Sequence, residues 1–436
     1  MRFKTLVLAG ALAACPWLGQ AQTHAPTAAP QAPLTTPLTP LALTEAWHLA
    51  DAANPGLKAK QAQLAAAEGA LDDARALLYN NPELTAEATR REAPQAGLPT
   101  ERRREWGAGV SQAFEIAGQQ GHRREAAEAA LAALRAEIDD TRAQLRAQVA
   151  QAFYRVLALQ QRVDLEAQAL KLFESTAAAV QKRRTAGEDT KLDANVATVE
   201  AERARNQLEQ AREQLLDARA EWSNQLQLPP GSTPVASGDL VDRFGTAYTL
   251  DALLSATDEQ ARLRALVARQ DSARARLRLE QASRYPDVTV GLNVGREGPT
   301  EARERLTTLS VTVPLPLFRR NATGIGQAHA DWTQAQIERE SGARELRAHV
   351  YTLHSRLQSL QARAQRLRDQ VLPALVDNQQ LSVKSQRAGQ IGLLELIVVN
   401  RQALDARRDL IDALSDYQAT RYALEAAAGW PQTGNP

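Results

Sequence analysis

Two hydrophobic periods alternate along this chain. From Tyr285 to Phe318 apolar residues recur at every second position: Val288, Val290, Leu292 and Val294 share one face, with Asp287, Thr289, Gly291 and Asn293 on the other. The return limb repeats the pattern, Leu309, Val311, Val313 and Leu315 alternating with Thr308, Ser310, Thr312 and Pro314 across a charged loop of Arg296, Glu297, Glu301, Arg303, Glu304 and Arg305. Period two with one apolar face predicts a β-hairpin. Strands of about ten residues suit a hairpin that spans an outer-membrane-type bilayer, although a soluble sandwich hairpin would carry the same alternation. A weaker hairpin of the same design precedes it. Leu84, Ala86 and Ala88 alternate with Glu83, Thr85, Glu87 and Thr89, and Trp106, Ala108, Val110 and Phe114 alternate with Gly107, Gly109, Ser111 and Ala113. Gln112 interrupts that apolar face, and Arg90 to Arg104, charged and carrying Pro94, Gly97 and Pro99, is expected to be the connecting loop.

Elsewhere the period is helical. Ordered structure is expected from Leu43, with Thr44 capping a short helix to Ala53; Asn54-Pro55 then supplies a cap and a proline at the first helical position of a helix running to about Leu78. From Gly118 to Ala186 no proline intervenes, and apolar or small residues recur at three and four: Leu131, Leu134, Ile138, Leu145, Val149, Ala152, Val156, Leu159 and Val163, with one position missed at Arg142. At about 1.5 Å per residue this is one helix on the order of 100 Å long. The chain turns at Gly187, returns from Leu192 to Leu228 and stops at Pro229-Pro230-Gly231. A helix from Leu250 to Ser283 leads into the hairpin at Pro286. A second long limb from Asn321 to Ala388, a turn at Gly389 and a return from Leu394 to Ala428 then copy the first half.

The copy holds without a gap. Lys182, Ala186, Gly187, Leu192, Ala201, Ala204, Arg205, Leu208, Ala211, Arg219 and Pro229 recur as Lys384, Ala388, Gly389, Leu394, Ala403, Ala406, Arg407, Leu410, Ala413, Arg421 and Pro431, and Asp193 is matched by Glu395. The chain is therefore a duplicated unit: residues 43–236, with a hairpin at 82–116, a long helix at 118–186 and a return at 192–228, and residues 237–436, with a helix at 250–283, a hairpin at 286–318, a long helix at 321–388 and a return at 394–428. The expected fold class is mainly α with a small β part, built of long antiparallel helical hairpins and four transmembrane strands. A bilayer admits β-structure only as a closed barrel. Four strands cannot close, so several copies must share one barrel, each adding four helical strips of about 100 Å to the wall of a tube.

Composition narrows the class further. Only 4% of residues are aromatic and the formal net charge is +1, which fits long helices better than a thick globular core and gives no argument for nucleic acid. Met1 to Gln22 opens with Arg2 and Lys4, continues as an apolar run from Leu6 to Leu18 and ends in Gly19-Gln20-Ala21, a secretory signal cut near Ala21. The single cysteine, Cys15, sits in Leu12-Ala-Ala-Cys15, which also fits lipoprotein processing with acylation of Cys15, although Pro16 is awkward for it. Residues 22–42 are a Pro/Thr/Ala-rich leader. After cleavage at Ala21 no thiol remains for a disulfide or a metal. His24, His48, His122, His329, His349 and His354 show no ligand spacing, and no phosphate loop, nucleophile elbow or zinc helix motif occurs. No cofactor and no catalysis are expected.

Taken together, residues 43 to 430 resemble the TolC-like outer-membrane efflux channels. The resemblance rests on Asn54-Pro55, the strand starts at Pro82 and Pro286, the exit Pro314-Leu-Pro-Leu-Phe318-Arg-Arg-Asn321, and the turns Ala186-Gly187-Glu-Asp-Thr-Lys-Leu-Asp193 and Ala388-Gly389-Gln-Ile-Gly-Leu-Leu-Glu395. The exit is most similar to the branch associated with cobalt, zinc and cadmium efflux. The resemblance implies a homotrimer with a shared twelve-stranded barrel in the outer membrane of a Gram-negative bacterium and a helical tunnel (an α-barrel) through the periplasm. It also implies docking of a periplasmic adaptor (membrane fusion) protein and an inner-membrane RND-type transporter at the turn end, where Ala186, Gly187, Leu192, Ala388, Gly389 and Leu394 lie. It places Asp193 and Glu395 as acids around the tunnel mouth, where three copies of each would favour cations; acids at helix starts are also ordinary helix-dipole partners. The chain departs from the family pattern at Val398, where a second acid is expected, and at Gln386 and Ile391, where the closing network has a tyrosine and an arginine. The same tube would serve drug or organic-solute efflux or type I protein secretion, and a secreted coiled-coil scaffold is the alternative of another class.

Overall fold

Helix α1 (Leu43–Ala53) and helix α2 (Pro55–Arg75) are separated by Asn54, whose side-chain oxygen accepts the Leu57 N–H at 3.0 Å while Pro55 occupies the first turn. The computed structural model describes residues 40–240, 248–298 and 302–431. The signal segment, Cys15, His24 and the leader as far as residue 39 lie outside the described residues. The leader's end is already part of the fold: Leu41 is buried and pairs with Ala236, its N–H donating to Val235 O at 2.8 Å. Helix α1 is capped at Ala42 rather than Thr44, because Glu45 reaches back to accept the Ala42 N–H at 3.3 Å.

Strands β1 (Glu83–Gln95) and β2 (Leu98–Phe114) follow, and the residues expected to loop between them are strand. The charges that disguised them oppose one another across the hairpin: Glu92 stands opposite Arg102 and pairs with it at 3.4 Å, and Arg91 reaches Glu105 at 3.5 Å. The turn shrinks to Ala96 and Gly97, the latter at φ 77°. Gln112, the break in the apolar face, donates to Asn80 O at 2.6 Å at the sheet–helix junction.

Helix α3 (Gln119–Thr185) is unbroken, and Leu131, Ile138, Leu145, Val149, Ala152 and Val156 are all buried along it. Helix α4 (Lys191–Gln225) lies against it through a stripe of small residues, Ala194, Ala197, Ala201, Ala204, Ala211 and Ala218, that lets the two backbones approach closely. In the second repeat the leading helix is divided into α5 (Leu250–Ala256) and α6 (Ala261–Ala282) by a single 3₁₀ turn, because Gln260 takes the cap role of Asn54: its Oε1 accepts the N–H groups of Arg262 and Leu263. Strands β3 (Val288–Glu297) and β4 (Glu304–Thr312) come next. The second long limb is α7 (Ala322–Arg366) and α8 (Leu372–Arg387), joined by a π-helical turn at Leu367–Val371 where the expected helix was regular. Pro373 has no N–H for the carbonyl four residues back and its ring crowds that turn, so the spiral widens there. Helix α9 (Leu393–Ala428) completes the chain, packed against α3, α7 and α8.

The return helices end where the leading helices begin. Gly429 (φ 69°) closes α9, and a Cβ there would stand 3.2 Å from Gln260 Cα, so α9 and α6 abut as one spliced strip. The scarce aromatics gather at this level. Phe153 meets Trp222 edge-on at 5.6 Å, Tyr154 stacks on Tyr422 at 5.7 Å, and Trp47 donates its indole N–H to Arg146 O at 2.9 Å. Arg421, paired with Glu425 at 3.1 Å and with the Tyr248 hydroxyl, seals the second splice. Burial pushes the Glu425 carboxyl up, against the pull of Tyr248 and Arg421.

The sheet is antiparallel in the order β1-β2-β3-β4, so β1 and β4 each leave one edge unpaired among the described residues. Its register gathers Leu84, Val110, Leu292 and Leu309 into one row on one face. That face is exposed, Leu84 at 84% and Leu309 at 71%, whereas Glu105 and Gly109 on the opposite face are buried. No helix among the described residues is long and apolar enough to cross a membrane.

Candidate functional site

Both long limbs end in the same turn. After α3 the Glu188 N–H donates to Arg183 O at 2.9 Å and the Gly187 N–H to Arg184 O at 3.0 Å; after α8 the Gln390 N–H donates to Ser385 O at 2.9 Å and the Gly389 N–H to Gln386 O at 3.0 Å. This paired pattern requires a left-handed residue, and Gly187 and Gly389 supply it at φ 80° and 71°. Ala186, Gly187, Ala388 and Gly389 are exposed, and Leu192 (71%) and Leu394 (65%) project beside them. The six candidate tip residues thus form two exposed ridges.

The restarts differ. Thr190 caps α4: its hydroxyl accepts the Asp193 N–H at 3.1 Å, and Asp193 Oδ2 accepts the Thr190 N–H at 3.2 Å and its O–H at 2.6 Å. These bonds, first that of the Thr190 hydroxyl and then that of its N–H, hold the Asp193 carboxyl below the usual carboxylate range, helped by Arg183. Arg183 also clamps Asp189 at 2.6 Å. At the start of α9, Gly392 offers no capping side chain, Ser385 and Ile391 stand where Arg183 and Asp189 do, and Glu395 is exposed with no side-chain partner among the described residues. Of the two candidate mouth acids, one is spent on its own helix and one is free.

Above the turns lies a set of ion pairs on buried carboxylates that the sequence pattern did not single out. Glu200, in the small-residue stripe of α4, receives Arg401 of α9 in a two-toothed contact with Nε at 2.8 Å. Glu166 of α3, 1% exposed, receives Arg408 at 2.8 and 2.5 Å and Arg162 at 2.8 Å, while Arg408 also reaches Asp405 and Gln207. These contacts fasten α9 to α3 and α4 around a small apolar cluster that includes Leu165, Phe173 and Ile397. The available signal was a carboxylate inside an apolar stripe: Glu200 falls between Ala197 and Ala201, and such an acid needs a partner.

At the opposite end, exposed apolar side chains mark the sheet–helix junctions: Leu77, Tyr79, Ile116, Tyr285, Leu317 and Phe318, the last 96% exposed. Tyr79 is covered by the Arg123 guanidinium 3.4 Å from its ring. Trp106 lies farther along the sheet, half exposed. The histidines are dispersed; His354 is buried and bonds Tyr248 O at 3.2 Å, and among the described residues no group of three His, Cys, Asp or Glu side chains could hold a metal ion.

With this geometry in place, comparison with known proteins is informative. The model of the family described as outer membrane efflux protein matches residues 46–224 and 253–430. The cobalt-zinc-cadmium resistance protein CzcC of Cupriavidus metallidurans is 28% identical over 391 residues, 87% of this chain and 88% of the relative. Among solved structures, CusC superposes with TM-score 0.72 at 16% identity, covering 88% of this chain and 91% of CusC. The outer membrane protein VceC of Vibrio cholerae gives 0.74 at 20% identity over 89% and 96%. The open MtrE channel of Neisseria gonorrhoeae gives 0.71 at 19% identity over 90% and 91%. These structural likenesses carry the fold: long helical hairpins joined to a small sheet of four strands.

Proposed function

The chain belongs to the outer membrane efflux protein family, and from that premise we propose that it is the passive outer-membrane exit duct of a tripartite pump for divalent heavy-metal cations. One observation carries the duct: a four-stranded sheet with both edges unpaired and an exposed apolar face, mounted on helices of about 100 Å. Lipid tolerates neither open edges nor unpaired backbone groups. Three copies joined edge to edge, β4 of one to β1 of the next, remove both and make a barrel of twelve strands over a helical tunnel in the periplasm.

The cargo rests on the likeness to CzcC. The two glycine turns, with Leu192 and Leu394 on their outer ridges, are the surface that an adaptor's helical hairpin would grip, and the adaptor links the duct to an inner-membrane RND-type transporter that supplies the energy. Glu395, without a side-chain partner among the described residues, is the acid at the mouth free to meet a cation; Asp193 serves the turn that positions it.

The first test is assembly. The mature protein is expected in the outer-membrane fraction as a trimer that survives an unheated gel, and to conduct as single channels in a planar bilayer. A detergent-independent soluble monomer would end the proposal. Deletion should sensitise cells to zinc, cobalt and cadmium; sensitivity to dyes alone would move the cargo to organic solutes.

A further inference from the structure

The face of the sheet opposite the apolar one carries acids that neither the turn end nor the barrel closure uses. Pairing sets Thr89 opposite Glu105 on β1 and β2, and Glu297 opposite Glu304 on β3 and β4. One step beyond the Trp106–Arg296 pair that joins the two hairpins, Glu105 and Glu297 come level. Three carboxylates therefore stand in one row across three adjacent strands, about 4.8 Å apart from strand to strand. Glu87 follows on the same face of β1 and lines, with Glu105, Glu297 and Asn293, a groove of about 400 Å³.

The charge in this groove is unbalanced. Glu105 is only 8% exposed; one of its oxygens lies 3.5 Å from Arg91, and the other, Oε1, is buried without a hydrogen-bond partner. Arg103, the next cation on that face, is taken by Glu101 at 2.7 Å. Like charges directly opposite in a sheet destabilise it, and a buried carboxylate oxygen without a partner costs more than an exposed one. An arrangement that keeps Glu105, Glu297 and Glu304 level, flanked on one side by Arg91 and by an Arg103 shared with Glu101, is relieved by a cation.

We propose that this row is a binding site for a hydrated divalent cation on the inner face of the sheet, centred on Glu105 and completed by Glu297, Glu304 and Glu87. No three acidic or histidine side chains among the described residues converge closely enough to replace an ion's water shell, so the carboxylates and the Asn293 amide hold the ion through its water. Such a contact is strong enough to concentrate cations and weak enough to release them. The site lies near the hairpin turns, at the far end of the chain from Glu395. The assignment of this face to the lumen rests on the duct reading above; the site itself rests on the register and on Glu105.

The test uses the intact mature protein in detergent with terbium(III) as the probe and Trp106, which borders the groove, as the antenna. Tryptophan excitation should give saturable terbium emission that zinc displaces. The paired substitutions Glu105→Gln and Glu297→Gln should weaken terbium binding at least tenfold, and Trp106→Phe should remove the emission. Glu209→Gln, at an exposed acid of α4 outside both ends, should leave both untouched. Emission that persists unchanged in the double glutamine variant, or that survives Trp106→Phe, overturns the site. Should the double variant fail to assemble, Glu105→Gln alone and Trp106→Phe decide the matter in the same way. A trimer that conducts but shows no such emission defeats this site and spares the duct; the expected emission from a protein that never conducts defeats the duct and spares the site.

Discussion

The two tip turns begin alike and finish differently. Each closes its long limb with the same pair of backbone hydrogen bonds around a left-handed glycine. The first then restarts under a Thr190–Asp193 capping box with Arg183 clamped on Asp189; the second restarts from Gly392 with no side-chain cap. The second limb also contains the π-helical turn before Pro373. The two halves thus carry equivalent turns that differ in what holds the helix after them. The result is a division: the start of α4 has a side-chain cap of its own, whereas α9 starts without one and is tied along its length to α4 by Arg401 on Glu200 and to α3 by Arg408 on Glu166.

The strongest way to break this contrast is to cut the outside hold. Arg408→Ala leaves Glu166, nearly fully buried, with Arg162 as its remaining partner, and is expected to cost about 2 kcal/mol. Amide exchange over Leu393 to Leu404 should accelerate by about thirtyfold, while Leu192 to Arg203 keeps its protection; equal acceleration of both turns would refute the division. A smaller effect is expected from Thr190→Ala, which removes the cap and costs about 1 kcal/mol. Exchange in the first turn of α4 should rise about fivefold, making the first hinge resemble the second.

Gly392→Thr is the converse. Its backbone, at φ −81° and ψ 175°, accepts a side chain, and the added Cβ would meet only the flexible end of Glu395. A gain of a few tenths of a kcal/mol, about a twofold slowing of exchange at Leu394 and Glu395, is expected. The gentlest probe is acid. Because the Asp193 carboxyl is held below its ordinary value, its contribution to the first turn is fully present above the unfolded carboxylate pKa of about 3.9 and is lost as pH falls through the depressed folded value. The difference in exchange protection between the two turns should therefore be flat from pH 7 to about 4 and narrow below that. A difference that already changes between pH 6 and 5 would assign it to another group.

Much of the architecture could be read along the chain because it is written in short-range spacing. The uninterrupted stripe from Leu131 to Val156 marked α3, and Asn54-Pro55 marked the restart of α2. The alternation at Val288 to Val294 marked β3. Where the structure departs from the spacing, as at the α1 cap, which is Ala42 and not Thr44, the reasons are identifiable. Residues 90–104, and Arg296, Glu297, Glu304 and Arg305 of the second hairpin, read as loop yet are strand, because strand charges look like loop charges until cross-strand partners such as Glu92 and Arg102 are known to face each other. The spacing reads as regular across Pro373 in the second limb and, in the leading helix of the second repeat, as unbroken across Gln260, a cap residue less familiar in that role than Asn54.

The candidate site divides the same way. The glycine turns, Leu192 and Leu394 followed from the internal repeat. Which acid was spent and which free did not, because Asp193 and Glu395 occupy equivalent positions and differ in what precedes them, Arg183, Asp189 and Thr190 against Ser385, Ile391 and Gly392. Glu166 and Glu200 gave only the faint signal of an acid in an apolar stripe.

By itself the sequence determined the periods, the duplication and the shortage of strands that calls for sister copies, since these follow from which face each residue takes on a helix or strand and from the need to pair every backbone group in lipid. Tertiary structure alone decided that Arg408 of α9 reaches Glu166 of α3, and that Glu105, Glu297 and Glu304 come level on strands far apart in the chain. Ion pairs and sheet register depend on distances between segments hundreds of residues apart, and no local spacing encodes a distance until the segments have packed.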